Sequence, residues 1–201
     1  SWDSTMPASA ATPTGECAQC WELQLGISGS GTLTAQPSSS AGCADKHYVS
    51  GAALTLDATA LPGFTLTGWS GTLAAPPGTR TEWAYEMPGQ ARAQQTATFA
   101  QCFELTLGSS GSGTLTVQPS SSVGCEDKHY VSGAWLTLNA TAAKGHTLTG
   151  WSGVVPAPVA SAEGEGSWNY TMPASAATPT AEFAQCWELQ VGISGSGTLT
   201  P

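Results

Sequence analysis

Four cysteines at matched spacing are the residues of this sequence most suited to chemistry. Cys20 and Cys43 have the same separation as Cys102 and Cys125, and each second cysteine leads into an Asp-Lys-His run, Asp45-Lys46-His47 and Asp127-Lys128-His129. A disulfide, a pair of free buried thiols and a metal site are the three chemistries open to such a set. Two cysteines and one histidine stop one ligand short of a closed zinc site, and the spacing fits no zinc template. A disulfide closing a loop of about 24 residues is worth on the order of 3 kcal/mol in the chain-entropy model. That is a large share of the stability of a small domain, and it implies an oxidising compartment. The expected pairs are therefore Cys20–Cys43 and Cys102–Cys125, with free thiols as the alternative. Of the two remaining cysteines, Cys17 occupies the slot held by Phe99 and Phe183, and Cys186 is expected to pair beyond position 201.

Other residues capable of chemistry have plainer readings. Gly29-Ser30-Gly31 resembles a phosphate cradle, but no helix follows it, so it reads as a turn between strands. Gly68-Trp69-Ser70-Gly71 lacks the spacing of a nucleophile elbow. His47, His129 and His146 have no repeated nucleophile or orienting carboxylate beside them, and His146 stands where the other copy has Phe64. Glu22, Glu104 and Glu188 recur on the polar side of a strand, where solvent-facing solubility or edge protection explains them. Asp45 or Asp127 alone is too little oxygen for calcium. Asn139 and Asn169 lie in acceptor sequons whose counterparts, Asp57 and Ala84, do not. No catalytic, cofactor-binding or metal-ligating residue is assigned, and no cofactor is expected.

What positions the cysteines is a duplication. Residues 20–71 return at 102–153 with about 41 of 52 positions identical, and CWELQVGISGSGTLT begins the pattern again at Cys186. The closing segment of the repeat also precedes the first full copy, at 1–19. The expected organisation is the end of one repeat (1–19), two complete repeats (20–101 and 102–185) and the start of another (186–201). Both ends fall inside a repeat, so the chain is expected to be a window on a longer array. Each unit is near the lower limit for a self-sufficient core.

Period-2 alternation runs through every unit and points to half-buried strands. Trp21, Leu23 and Leu25 share a side; Leu33 and Ala35, then Leu54, Leu56 and Ala58, continue the pattern. A short turn at Gly29–Gly31 is expected to pair the first two strands as a hairpin, with Leu25 opposite Leu33 and Leu23 opposite Ala35. Trp69 breaks the parity of Phe64 and Leu66, so either Gly68 marks a bulge or Trp69 faces a neighbouring unit. The bulge is the favoured reading. The core aromatics expected are Trp21, Trp69, Trp83 and Phe99, repeated as Phe103, Trp151, Trp168 and Phe183. A sugar-stacking platform of Trp21, Trp69, Trp83 and Tyr85 is the competing use of these rings. No capped apolar stripe supports a helix. The fold class is all-β, about six short strands per unit.

The blocks G-T-L-T-x-x-P, Y-V-S-G-x-x-L-T-L-x-A-T-A and G-x-T-L-T-G-W-S-G, closing with A-T-F-A or A-E-F-A, resemble the divergent internalin-type B-repeat of bacterial surface proteins. The matching residues run from Gly31 through Gly71 and Phe99, and from Gly113 through Gly153 and Phe183. The resemblance implies a small β-grasp-like domain used in tandem as a spacer, stalk or adhesive module, with no catalytic residues to carry over. Many such repeats place a cysteine pair inside one loop, whereas here one cysteine opens a strand and the other lies in a loop.

Composition agrees with a structural role. The net charge is −9, with five basic residues and no basic cluster, which excludes nucleic acid and anionic membrane as partners. No apolar run reaches the length of a membrane span. Only Ala-Gln separates Phe99 from Cys102, so successive units should form a semi-rigid rod. The leading expectation is a non-enzymatic, extracellular structural protein of a bacterial surface, self-associating through strand edges. Its partners would be neighbouring repeats and further copies of itself. The alternative is an adhesive or carbohydrate-binding module with a surface glycan or protein as its ligand. Recognition is expected in the variable loops, 72–82 and 154–167, or along strand edges.

Overall fold

In the computed structural model, which describes residues 18–74, 78–153 and 165–188, the alternating segments of the first unit become seven strands. They are β1 (Cys20–Ser28), β2 (Gly31–Gln36), β3 (His47–Val49), β4 (Ala53–Ala60), β5 (Phe64–Gly71), β6 (Glu82–Glu86) and β7 (Ala93–Glu104). The second unit continues with β8 (Gly108–Ser110), β9 (Gly113–Gln118), β10 (His129–Val131), β11 (Trp135–Ala142), β12 (His146–Ser152), β13 (Glu165–Thr171) and β14 (Thr180–Gln185). The described residues contain no helix long and apolar enough to cross a membrane, and no helix of any length. The expected fragments 1–19 and 186–201 fall almost wholly outside the described residues, as do Cys17, residues 75–77 of the first variable loop and residues 154–164 of the second.

Each unit is two sheets closed over one core. In the first, β2, β4 and β6 form an antiparallel sheet, and β3, β1, β7 and β5 form a mixed one. Leu56 and Tyr85 come from one sheet and Leu23, Leu66, Trp69 and Phe99 from the other, and they meet in a single buried cluster. Alternation explains why each strand gives one face to this cluster and the other to water: β4 alternates strictly, with Leu54, Leu56 and Ala58 buried.

The expected hairpin between the first two strands does not form. Leu23–Ser28 runs parallel to Ala93–Thr98, and Gly31–Gln36 pairs with Thr55–Ala60. Alternation demands only that Leu25 and Leu33 face the same core, and both do so from different sheets. The chain passes from one sheet to the other at Gly29, whose φ of +86° and close seat against the Phe99 carbonyl suit glycine alone. The structure also adds the short strand β3 to the six strands expected per unit.

The bulge lies between Leu66, opposite Phe99, and Gly68, opposite Thr98. Thr67 is the extra residue, and its hydroxyl donates to the Thr98 carbonyl (3.1 Å). Trp69 is thereby turned inward and buried. The second unit repeats the shift between Leu148 and Gly150, with Thr149 donating to Glu182 and Trp151 buried.

Of the eight expected core aromatics, Trp69, Phe99, Trp151 and Phe183 are buried; Trp21, Trp83, Phe103 and Trp168 are half-buried and pack against the same clusters. Trp83 meets both Trp69 and Tyr85 edge-on. Trp69, Trp83 and Tyr85 thus pack against one another.

Candidate functional site: the joint between repeats

A single strand carries the chain from one unit to the next. Along its 12 residues β7 is parallel to β1 from Ala93 to Thr98, antiparallel to β5 from Gln95 to Gln101, and antiparallel to β10 from Cys102 to Glu104. Gln101 still pairs with Phe64 of the first unit, and Cys102 already pairs with Val131 of the second. The two residues are consecutive, so the ladders of the two units meet with no unpaired residue between. The Cys102 N–H donates to the Gly63 carbonyl (2.8 Å), and the Cys186 N–H donates to the equivalent Gly145 carbonyl (2.7 Å).

The second unit's cysteine loop closes over this joint. Cys102 and Cys125 are bridged with Cα atoms 5.9 Å apart, as are Cys20 and Cys43. That distance sits in the middle of the range a disulfide requires. Just before Cys125, the Val123 carbonyl accepts a hydrogen bond from the hydroxyl of Thr65 in the first unit (2.9 Å). Gly124 lies so close to that hydroxyl that a Cβ there would meet it. Thr65 is 5% exposed in consequence, while its counterpart Thr147 is only half-buried. Pro62 and Phe64 face Glu126 and His129 across the remaining cleft.

Backbone bonds explain the Asp-Lys-His run beside each loop cysteine. Lys46 adopts a left-handed φ of 58°, and from it the N–H reaches Ser38 O (2.9 Å) while the carbonyl accepts from Leu23 N (2.9 Å). Lys128 does the same with Ser120 and Leu105. The imidazole Nδ1 of His47 donates to Asp45 O (2.8 Å) and that of His129 to Asp127 O (2.9 Å). Among the described residues no three His, Cys, Asp or Glu side chains gather as a metal set.

The sequence reading missed the importance of the tyrosines. Tyr48 and Tyr130 are completely buried, and their hydroxyls donate to Pro37 O (2.8 Å) and Pro119 O (2.9 Å), tying the start of the cysteine loop to the core. Burial, reinforced by the negative charge of Asp45 or Asp127, raises the pKa of each phenol. Their place in the repeated H-Y-V segment was the available signal. Gln95 is a second such residue. It is fully buried, and with its amide oriented to satisfy both ends it donates to Ser70 O (3.1 Å) and accepts from Leu73 N (2.9 Å).

The other candidates take no part in the Thr65–Val123 contact. Glu22, Glu104 and Glu188 are exposed, Cys186 is exposed with no disulfide partner among the described residues, and Asn139 and Asn169 lie on one outward sheet face. His146 is half-buried with its Nδ1 unpartnered. Trp135 and Trp187 are the two tryptophans that face water among the described residues.

The family described as divergent InlB B-repeat domain matches residues 28–102 and again residues 103–186. Neither a curated protein nor a solved structure matches the chain. The two matches span most of the sequence in tandem, in register with the two units that β7 joins, and the chain belongs to the divergent InlB B-repeat family.

Proposed function

We propose that this chain is part of a non-enzymatic, extracellular stalk in which each unit serves as a spacer of fixed length. The observation that carries the reading is the shared strand β7, which belongs to the sheets of both units and leaves no free linker to act as a pivot. The Gly145–Cys186 bond repeats the Gly63–Cys102 bond, so the same joint recurs with the repeat. The family and the two disulfides support a location outside the cell, on a surface. Strands β2 and β9 pair on one side only, with β4 and β11, and each leaves a Thr-rich edge where stalks can associate laterally.

Small-angle X-ray scattering on chains of two, three and four units tests the reading. A stalk gives a maximum dimension that grows linearly with the number of units. Growth as a fractional power, as for beads on a flexible string, would overturn it.

A further inference from the structure

The two units differ systematically on one surface, the outward face of the three-stranded antiparallel sheet. Its inward positions are the same in both: Trp83, Tyr85 and Met87 are matched by Trp168, Tyr170 and Met172. Outward, Ala53, Asp57, Glu82, Ala84 and Glu86 of the first unit are replaced by Trp135, Asn139, Ser167, Asn169 and Thr171. Three carboxylates are lost while an indole and two amides are gained, with no compensating change beneath them.

The strand register assembles these residues. Gln118, Thr137 and Asn169 form one row across β9, β11 and β13, and Thr116, Asn139 and Ser167 form the next. Trp135 lies beside Thr171 at the end of the patch and is 77% exposed. A single exposed indole needs no ligand to explain it. An indole bordering two uncharged rows of hydroxyls and amides, on a face that bears three carboxylates in the other copy, is a different matter.

We infer that this face of the second unit binds a neutral carbohydrate polymer. An indole packs against the C–H face of a sugar ring, and amides and hydroxyls spaced about 5 Å apart between strands meet its hydroxyl groups as both donors and acceptors. These two rows carry no charge to select an ionic ligand, Glu165 entering only in the following row, opposite Thr141, and the loss of Asp57, Glu82 and Glu86 equivalents removes groups that a neutral ligand would have to desolvate. Asn139 and Asn169 also lie in sequons, so a covalent glycan is the competing occupant. They sit diagonally on adjacent strands, about 7 Å apart, which crowds two attached glycans. The inference is independent of the stalk reading, because particle length does not depend on Trp135.

Affinity electrophoresis of the whole chain tests it, in gels carrying hydroxyethylcellulose, galactomannan or β-1,3-glucan, with alginate as the acidic control. At least one neutral polymer should retard the chain and alginate should not. Trp135→Ala should weaken that binding tenfold or more, Thr137→Glu should abolish it, and Trp135→Phe should retain part of it. All three variants should keep the wild-type circular dichroism, since the positions are outward. Retardation by none of the neutral polymers, or equal retardation of Trp135→Ala, overturns the inference. So does a hexose mass on Asn139 or Asn169 in native material, or a self-association in sedimentation that Trp135→Ala removes.

Discussion

The Thr65 hydroxyl donates to the Val123 carbonyl at 2.9 Å, joining residues 58 apart in sequence and one repeat apart in the array. The bond reaches the cysteine loop of the second unit from a strand of the first, beside the continuous strand β7. Thr65→Val keeps the side-chain shape and deletes the donor, leaving the Val123 carbonyl to find water. We predict a loss of about 1 kcal/mol in urea denaturation, and faster hydrogen exchange at the amides of Ser122–Cys125. Unchanged exchange in that segment would show that the bond does not hold the joint.

The two disulfides close loops of the same length, with sequence separation 23, but only the second borders the described joint. Replacing both cysteines of either pair by serine should cost about 3 kcal/mol. The pairs should differ in where the damage is seen. Cys102→Ser with Cys125→Ser should also increase exchange at Thr65 and Leu66 in the preceding unit, whereas Cys20→Ser with Cys43→Ser should leave those amides as they are. Equal effects of both pairs on Thr65 would refute a local coupling between loop and joint.

Gly111 and Gly133 both have positive φ, +87° and +81°, yet their surroundings differ. A Cβ on Gly133 meets nothing within 4 Å, while one on Gly111 runs into the backbone carbonyl of Phe183. Gly133→Ala should therefore cost only the left-handed conformation, about 1–2 kcal/mol. Gly111→Ala adds displacement of a packed strand, so its cost should be about 3 kcal/mol or more. Thermal denaturation of the two variants side by side checks the order. A Gly133 variant as damaged as the Gly111 variant would remove the steric argument.

The pattern of apolar positions made the strands and most of the core legible, because alternation is a local property of the chain. Leu54, Leu56 and Ala58 could be placed without knowing their neighbours. Which strand pairs with which was not legible. Leu25 and Leu33 can face one core from a hairpin or from two sheets, and only the close approach of Gly29 to Phe99, residues distant in sequence, decides it. The bulge was readable from the parity of Trp69 against Phe64. Tyr48 was not, since its value lies in a bond to Pro37 that no period announces. The joint was half legible: the two residues between Phe99 and Cys102 imply a short connection, but Thr65 and Val123 carry no mark of their contact. The outward sheet face became readable as a unit only once the register aligned Trp135, Thr137 and Asn139 with β13.

We predict that four buried tyrosines make the fold less stable at alkaline pH. Burial raises the phenol pKa of Tyr48, Tyr85, Tyr130 and Tyr170 above the ordinary 10.0. In the unfolded chain these groups ionise near the ordinary value. Below it both states hold the proton and the phenols add no pH dependence. Above it the unfolded state releases protons first, so stability falls as pH rises from about 10 through the higher folded values. Urea midpoints should therefore be flat from pH 8 to pH 9.5 and fall steeply by pH 11.5. The phenolate absorbance of the native chain should lag behind that of free tyrosine and then appear together with unfolding. Tyr48→Phe and Tyr130→Phe should each make the alkaline fall shallower, while losing the hydroxyl bond to Pro37 or Pro119 and with it about 1 kcal/mol at neutral pH. Phenols that titrate near 10 with the fold intact would mean that they reach water, and that the core does not hold them as the structure has it.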